Sequence, residues 1–351
     1  MTLAGVGAAF LWVLIFVYSI LGAIDFGSSY WRLHFSLRGR WNTASVASTY
    51  VSPTWELINA FLIVIPVALV GLFPDAAFAY GTVLAVPATL LLVLLALRGA
   101  YLQFGYASER FRKQMIYVAG ITGLLLPGVL IALLPLSQGG YVTRTAHSYA
   151  LQVGSFFTSV QVYAFIGFGV TLALYLSSLF LARYAQAAGE RLAYHRFRHG
   201  ALWMGPISLL FGGWALAAGH PGAMPLMVTG MHLGLVRIFF GLSLLSFVIG
   251  YISLAAQRSD QSIRSWRVLL QLGLGIVQIV TAQMGYAVAH SPYLLYPFLT
   301  FSGAAANQQM FVSTLIVLIG GLLLLSPALL WFRRLFLVDA EYVATHVKEN
   351  H

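Results

Sequence analysis

The chain contains no cysteine, which removes disulfides, thiolate metal ligands and a thiol nucleophile from consideration. Charge is scarce as well: only 8% of the 351 residues are Asp, Glu, Lys or Arg, and nine acids stand against nineteen basic residues. A water-soluble domain of this length could not be covered by so few charges, nor could one core hide an apolar content of 60%. There is no Walker loop, no dinucleotide glycine fingerprint and no plausible catalytic triad. No polar stretch is long enough to form a separate soluble domain.

What remains is apolar sequence in long runs, each near the length a helix needs to cross a bilayer. The runs predict nine membrane-spanning helices near 4–30, 56–73, 77–97, 115–134, 158–181, 201–219, 231–255, 268–289 and 310–331. The fold class expected is an all-α integral membrane protein, one polytopic domain over 1–351. Two four-helix bundles with one peripheral helix would account for the count. The first bundle falls in 1–134, and helices 5–9 in 158–331 supply the second. Pro66, Pro87 and Pro127 are expected to kink the second, third and fourth helices.

Basic residues follow the odd-numbered spans. They are Arg32, Arg38 and Arg40; Arg98, Arg110, Arg112 and Lys113; Arg183, Arg191, Arg196 and Arg198; Arg258, Arg264 and Arg267; and Arg333, Arg334 and Lys348. The gaps after the even-numbered spans hold only Arg144. Because cytoplasmic loops keep Lys and Arg, the N-terminus is expected outside and the C-terminus in the cytoplasm. The basic balance therefore reports topology and no nucleic-acid partner. The opening "MTLAGVGAAF" lacks a positive leader and a small-residue cleavage site, so the first helix is expected to be retained.

Within this frame a few ionisable groups stand out. Asp25, in "YSILGAIDFGSSYW", lies one to two turns before the cytoplasmic end of the first span. Glu56, in "SPTWE", is expected in the first turn of the second helix, with Ser52 as cap and Pro53 at the first position. Arg98, in "LALRGAY", closes the third span, so the three share one depth. Glu56 is read either as a functional acid or as a helix-start carboxylate, and Arg98 either as a partner or as a snorkelling residue. A lone buried carboxylate is costly unless paired or protonated, so Asp25 belongs either to a proton or ion path or to a structural pair with Arg98 or another subunit. Arg237, in "MHLGLVRIFF", either snorkels outward or binds a carboxylate, a lipid phosphate or a cofactor propionate.

The nine histidines all fall in predicted loops or at predicted helix ends, so no axial haem pair is expected in this chain. His195 and His199, in "HRFRH", read as part of a solvated basic loop, and His220, His232 and His290 as interfacial residues on the outer rim. No metal site is expected.

Taken in order, these features resemble subunit II of cytochrome bd-type quinol oxidases. That family ends its first helix in a pattern like D-G-F-D-L-G, and "GAIDFG" keeps the second acid as Asp25. Its W-D-G-N-E-V-W motif corresponds to "SPTWELI", which keeps the acid Glu56. Its A-L-F-A-A-F-P stretch and L-R-G-x-x-F-E-F segment correspond to "ALVGLFPDAAFAY" and "LRGAYLQFGY". The likeness is clearest over about residues 10–106. It departs at Gly22, near Pro53 and at Gln103, each of which stands where the family has an acid.

The resemblance implies a haem-free chain in the prokaryotic cell membrane, paired with a larger subunit I that carries haem b, haem d and the quinol site. A small single-helix subunit and membrane lipid are further implied partners. The complex would oxidise quinol and reduce oxygen to water. This chain would support assembly and a cytoplasmic proton path, for which Asp25 and Glu56 are the candidates and Arg98 and Arg237 the pairing or structural residues. The competing expectation is a proton- or ion-coupled secondary transporter in which Asp25 binds the ion or substrate.

Overall fold

The computed structural model describes residues 2–107, 109–145, 148–219, 222–224, 234–257 and 265–333; side chains at 50–57, 105–107, 109, 265 and 328–333 are not described. The chain is built of helices α1 (Leu3–Leu37), α2 (Trp41–Leu72), α3 (Pro74–Val83), α4 (Ala85–Ala107), α5 (Arg112–Ile131), α6 (Leu134–Ser137), α7 (Val153–Phe157), α8 (Val160–Ala187), α9 (Arg191–Ala217), α10 (Gly234–Ala255), α11 (Ser265–His290) and α12 (Gln308–Arg333). Two short antiparallel β-hairpins, 142–151 and 293–300, close one end of the molecule. The opposite end carries Arg38, Arg40, Arg112, Arg191 and Arg196, and is called the basic end below.

Among the described residues, eight helices are long and apolar enough to cross a membrane. The expected span at 56–73 lies on α2, whose apolar segment Ile58–Leu72 is shorter. Helices α1, α2, α4 and α5 pack around one another, as do α8, α9, α10 and α11, while α12 packs on α2. The two groups join where α1 lies against α8.

Several helices are longer than the bilayer requires. Helix α1 has 35 residues, about 52 Å at 1.5 Å per residue, against a hydrocarbon core of about 30 Å. Arg32, expected in the loop after the first span, is therefore inside α1 and buried. Helix α2 starts at Trp41, so Ser52 and Pro53 lie in its interior and do not open it. The small residues Ala44 and Ala47 of α2, with Val46, bury against Phe35, Ala182, Ala185 and Phe197, and Arg196 donates to Thr43 Oγ1 at 2.6 Å. This packing rewards continuing the helix past the membrane surface. The same extension puts His195 and His199 on α9, with Trp203 Nε1 donating to His199 Nε2 at 3.0 Å, which corrects the expected basic loop.

The third predicted span is divided at Leu84. Pro87 has no N–H to offer the carbonyl of Val83, and its ring crowds that turn, so α3 and α4 form two rods with a break where the sequence places a kink. Helices α2 and α5 run on through Pro66 and Pro127.

Close helix approach depends on a few glycines. Gly27 of α1 faces α8: a Cβ there would sit 2.5 Å from the Ala173 carbonyl and would overlap Ser177. Gly123 of α5 comes against the Phe26 carbonyl and Ser29 in the same way. The two glycines flank Asp25, and they bring α8 and α5 onto α1 closely enough to shut lipid out of that level.

Overpacking this crossing should be costly. Gly27→Val is expected to lower the thermal midpoint of the detergent-extracted protein, corresponding to about 1–3 kcal/mol. Gly213→Ala on α9, where a Cβ meets open space, should leave it unchanged or slightly higher. Equal midpoints for the two variants would refute the close-approach role of Gly27.

Candidate functional site

Asp25 sits on the face of α1 turned toward α4 and α5, and Arg98 reaches it from α4. Both side chains are only 2% exposed. Arg98 Nη2 donates to Asp25 Oδ2 at 2.8 Å and to Ser29 Oγ at 2.8 Å, while Nη1 donates to the Ala119 carbonyl of α5 at 2.9 Å. The Ser29 hydroxyl donates its own proton to the Asp25 carbonyl at 3.2 Å, which leaves its oxygen free to accept from Arg98. The guanidinium also lies over the Phe26 ring, 5.3 Å from its centroid.

One arginine therefore ties three helices together at one level. This is the only ion pair among the described residues. Arg98 compensates the cost of burying a carboxylate, but only through one oxygen. Asp25 Oδ1 is buried and has no hydrogen-bond partner. Two turns up α1, the buried Tyr18 hydroxyl also lacks a partner, and it lies within electrostatic reach of both Asp25 and Arg98.

The structure thus brings together two of the four residues singled out from the sequence. The backbone of Glu56 is on α2, and its side chain lies outside the described residues. Arg237 stands apart on the first turns of α10 as described, with its side chain exposed. Ser29, Phe26 and the Ala119 carbonyl were not anticipated, although Ser29 lies four residues after Asp25 and so shares its helix face.

A longer pattern was also missed. Tyr18, Gly22, Asp25, Ser29, Arg32 and Ser36 follow one another at spacings of four and three, which places them in a single stripe along α1. The stripe is polar or small throughout, and it runs from the middle of the helix to its basic end. Toward the N-terminus its next positions are Leu14 and Leu11, both buried in apolar packing.

His290 departs from expectation too. It closes α11, is 3% exposed and stacks on Tyr286 at 5.8 Å; the Leu294 backbone lies close to its ring, but neither nitrogen makes a hydrogen bond of standard geometry. It is a buried residue and not an interfacial one, because the 293–300 hairpin folds over that end of α11. His220 and His232 lie outside the described residues. Among the described residues, no group of three or more His, Cys, Asp or Glu side chains could hold a metal ion.

Comparison with known proteins agrees with this architecture. The family described as Cytochrome bd terminal oxidase subunit II matches residues 3–336, nearly the whole chain. The chain belongs to this family. A Bacillus subtilis (strain 168) protein, provisionally named a cytochrome bd menaquinol oxidase subunit II, is 33% identical over 348 residues, covering 96% of each chain. The solved structure of bd oxidase from Geobacillus thermodenitrificans contains a chain 33% identical to this one, with a TM-score of 0.73. The match covers 97% of this chain and all of the other. With its long apolar helices, this subunit II chain is a multi-pass protein of the bacterial cell membrane. These matches give the secondary-transporter reading no support.

The coupling of Asp25 and Arg98 can be measured directly. Arg98→Met strands a buried carboxylate and should destabilise the chain by about 3–5 kcal/mol. Asp25→Leu combined with Arg98→Met should recover part of that loss in thermal unfolding. Strictly additive losses would show that the two side chains are not coupled.

Proposed function

We propose that this chain is the haem-free subunit of a membrane quinol:oxygen oxidoreductase, and that Asp25 carries protons from the cytoplasm toward an oxygen-reducing site in the partner subunit. The observation that carries the reading is the half-satisfied carboxylate. Arg98 holds Oδ2 in place, while Oδ1 is buried, unpartnered and free to take a proton and give it up. A carboxylate kept only for structure would be expected to use both oxygens, because an unmet buried acceptor is costly.

The polar stripe supports the same reading. If the basic end faces the cytoplasm, as the positive-inside rule implies, Ser36, Arg32 and Ser29 line the approach to Asp25 from that side. Counting α2 with the eight long apolar helices gives nine spans, an arrangement that would put the N-terminus outside and the C-terminus inside. The packing fits two four-helix bundles, one within 1–134 and one within 158–331, with α12 outside both. Glu56, on α2, would be a second group on the same route.

In such a complex the larger partner, subunit I, carries haem b and haem d and oxidises the quinol. The Bacillus subtilis relative's name points to menaquinol. A small single-helix subunit and bound lipid complete the assembly. Oxygen reduction consumes protons, so a chain that delivers them from the inside helps to conserve energy. Gly22 and Gln103 stand where the family has acids, which leaves Asp25 to serve this level of the route with no acidic neighbour on its own helix face.

Asp25→Asn should slow oxygen consumption with a menaquinol analogue on the order of tenfold or more, the scale on which a lost proton-transfer group is felt. The reduced-minus-oxidised haem spectrum of the purified complex should be unchanged, and Asp25→Glu should restore part of the rate. Wild-type turnover in a fully assembled Asp25→Asn complex would overturn the proton-path reading.

A further inference from the structure

The polar stripe of α1 stops at Tyr18, well short of the hairpin end. Above it Leu14 and Leu11 are packed in an apolar cluster, so nothing on α1 could carry a proton further. At this level a second set of polar residues begins on α11. Gln283 Nε2 donates to Ser19 Oγ at 2.6 Å, and Ser19 in turn donates to the Phe16 carbonyl at 3.0 Å. Gln283, Tyr286 and His290 are spaced three and four apart, and so share one face of α11 up to its hairpin end. The Tyr286 ring lies 6.0 Å from Trp12 of α1 and stacks on His290. The two stripes therefore occupy opposite halves of the molecule, and the Ser19–Gln283 hydrogen bond joins α11 to α1 at the residue next to Tyr18, on the adjoining helix face.

Both stripes carry buried polar atoms without partners. They include Asp25 Oδ1, Tyr18 Oη and Ser36 Oγ on α1, and Gln283 Oε1 with the ring nitrogens of His290 on α11. Orphans scattered at random would each need a separate explanation. Ser28 Oγ and Gln278 Oε1 are unpartnered off the stripes, but those that follow the stripes share one explanation, since bound water satisfies buried groups of this kind.

We propose that this seam is a hydrated proton path that leaves α1 at Tyr18 and Ser19, crosses to α11 at Gln283 and ends at the imidazole of His290. The proposal rests on the proton-path reading of Asp25 and extends it across the second half of the membrane. Each passage moves one proton. The Asp25 carboxyl gives its proton to a bound water, which releases another onward, and Asp25 is recharged from the Ser36 side. At the far end the neutral imidazole of His290 accepts the proton at one nitrogen and gives up another from its second nitrogen, toward the subunit in which oxygen reduction consumes it.

The seam does not open a leak to the opposite surface. From Tyr286 the hydrogen bonds continue through Gln138 and Gln161 to Tyr141, which bonds Ser159 in the wall of an open surface cavity. None of these side chains has a buried polar atom without a partner, so this branch, unlike the seam, offers bound water no unmet group.

The absence of native cysteine makes hydration directly testable. Ser19→Cys and Gln283→Cys are placed singly in the complete oxidase and exposed to a small cationic methanethiosulfonate, with modification read on this chain by mass spectrometry. Both should react at least about tenfold faster than Leu176→Cys, which sits in fully buried apolar packing, because the reagent needs a thiolate and thiolates need water. Rates as slow as that of Leu176→Cys would overturn the seam. In parallel, His290→Gln should slow oxygen turnover about as much as Asp25→Asn, while anaerobic reduction of the haems by quinol stays at the wild-type rate. If Asp25→Asn slows turnover and His290→Gln does not, the seam falls and the Asp25 reading stands. If Asp25→Asn itself leaves turnover unchanged, the underlying reading falls.

Discussion

The arrangement depends on the cost of holding a carboxylate inside a membrane protein. Asp25 is tolerable there because Arg98 meets it at 2.8 Å, and Arg98 is tolerable because Ser29 and the Ala119 carbonyl take its other donors. Each group supplies the condition for the next. The network draws α4 and α5 onto α1, and Gly27 and Gly123 permit the close approach that keeps lipid away from the charges. The packing of the first helix group and the chemistry of the site are thus two aspects of one constraint.

Much of this was legible in the sequence, and the reasons are specific. Hydropathy marked the apolar spans because the bilayer selects on length and polarity alone, and Arg98 and Asp25 stood out because charge is rare at that depth. What hydropathy could not show is how far a helix continues outside the membrane. Residues 41–51 and 191–200 are helical because Ala44, Ala47, Ala193 and Phe197 pack against neighbouring helices, a tertiary effect with no signature in a hydropathy window. The same effect moved Arg32 from a loop into a buried helix face. The burial of His290 was hidden for a related reason: only the fold shows a hairpin covering that helix end.

The stripe on α1 illustrates a different limit. Its spacing of four and three was present in the sequence, but a search for acids and histidines passes over tyrosine, serine and glycine. Those residues become meaningful only when they are seen to share a face with a buried charge. In a membrane helix a row of small and polar side chains is also what close packing requires, and glycine and serine serve both purposes here. Gly27 and Ser29 separate the two roles: Gly27 faces α8 and permits contact, whereas Ser29 faces α4 and bonds Arg98.

Pairing and transport make opposite demands on Asp25. An ion pair that satisfied both oxygens would fix the carboxylate and hold it charged, and an unpaired acid would be driven to neutrality by burial. A carboxylate bonded through one oxygen avoids both extremes, since the bonded oxygen keeps its position while the other is left open to the proton exchange proposed for it. Arg98 is held in turn by bonds that do not depend on the state of Asp25, to Ser29 and to the Ala119 carbonyl. The guanidinium therefore stays in place when the carboxyl is neutral, and the site can pass through both states without the helices moving. That independence would let one residue pair serve both the packing of α1, α4 and α5 and the proposed movement of a proton past them.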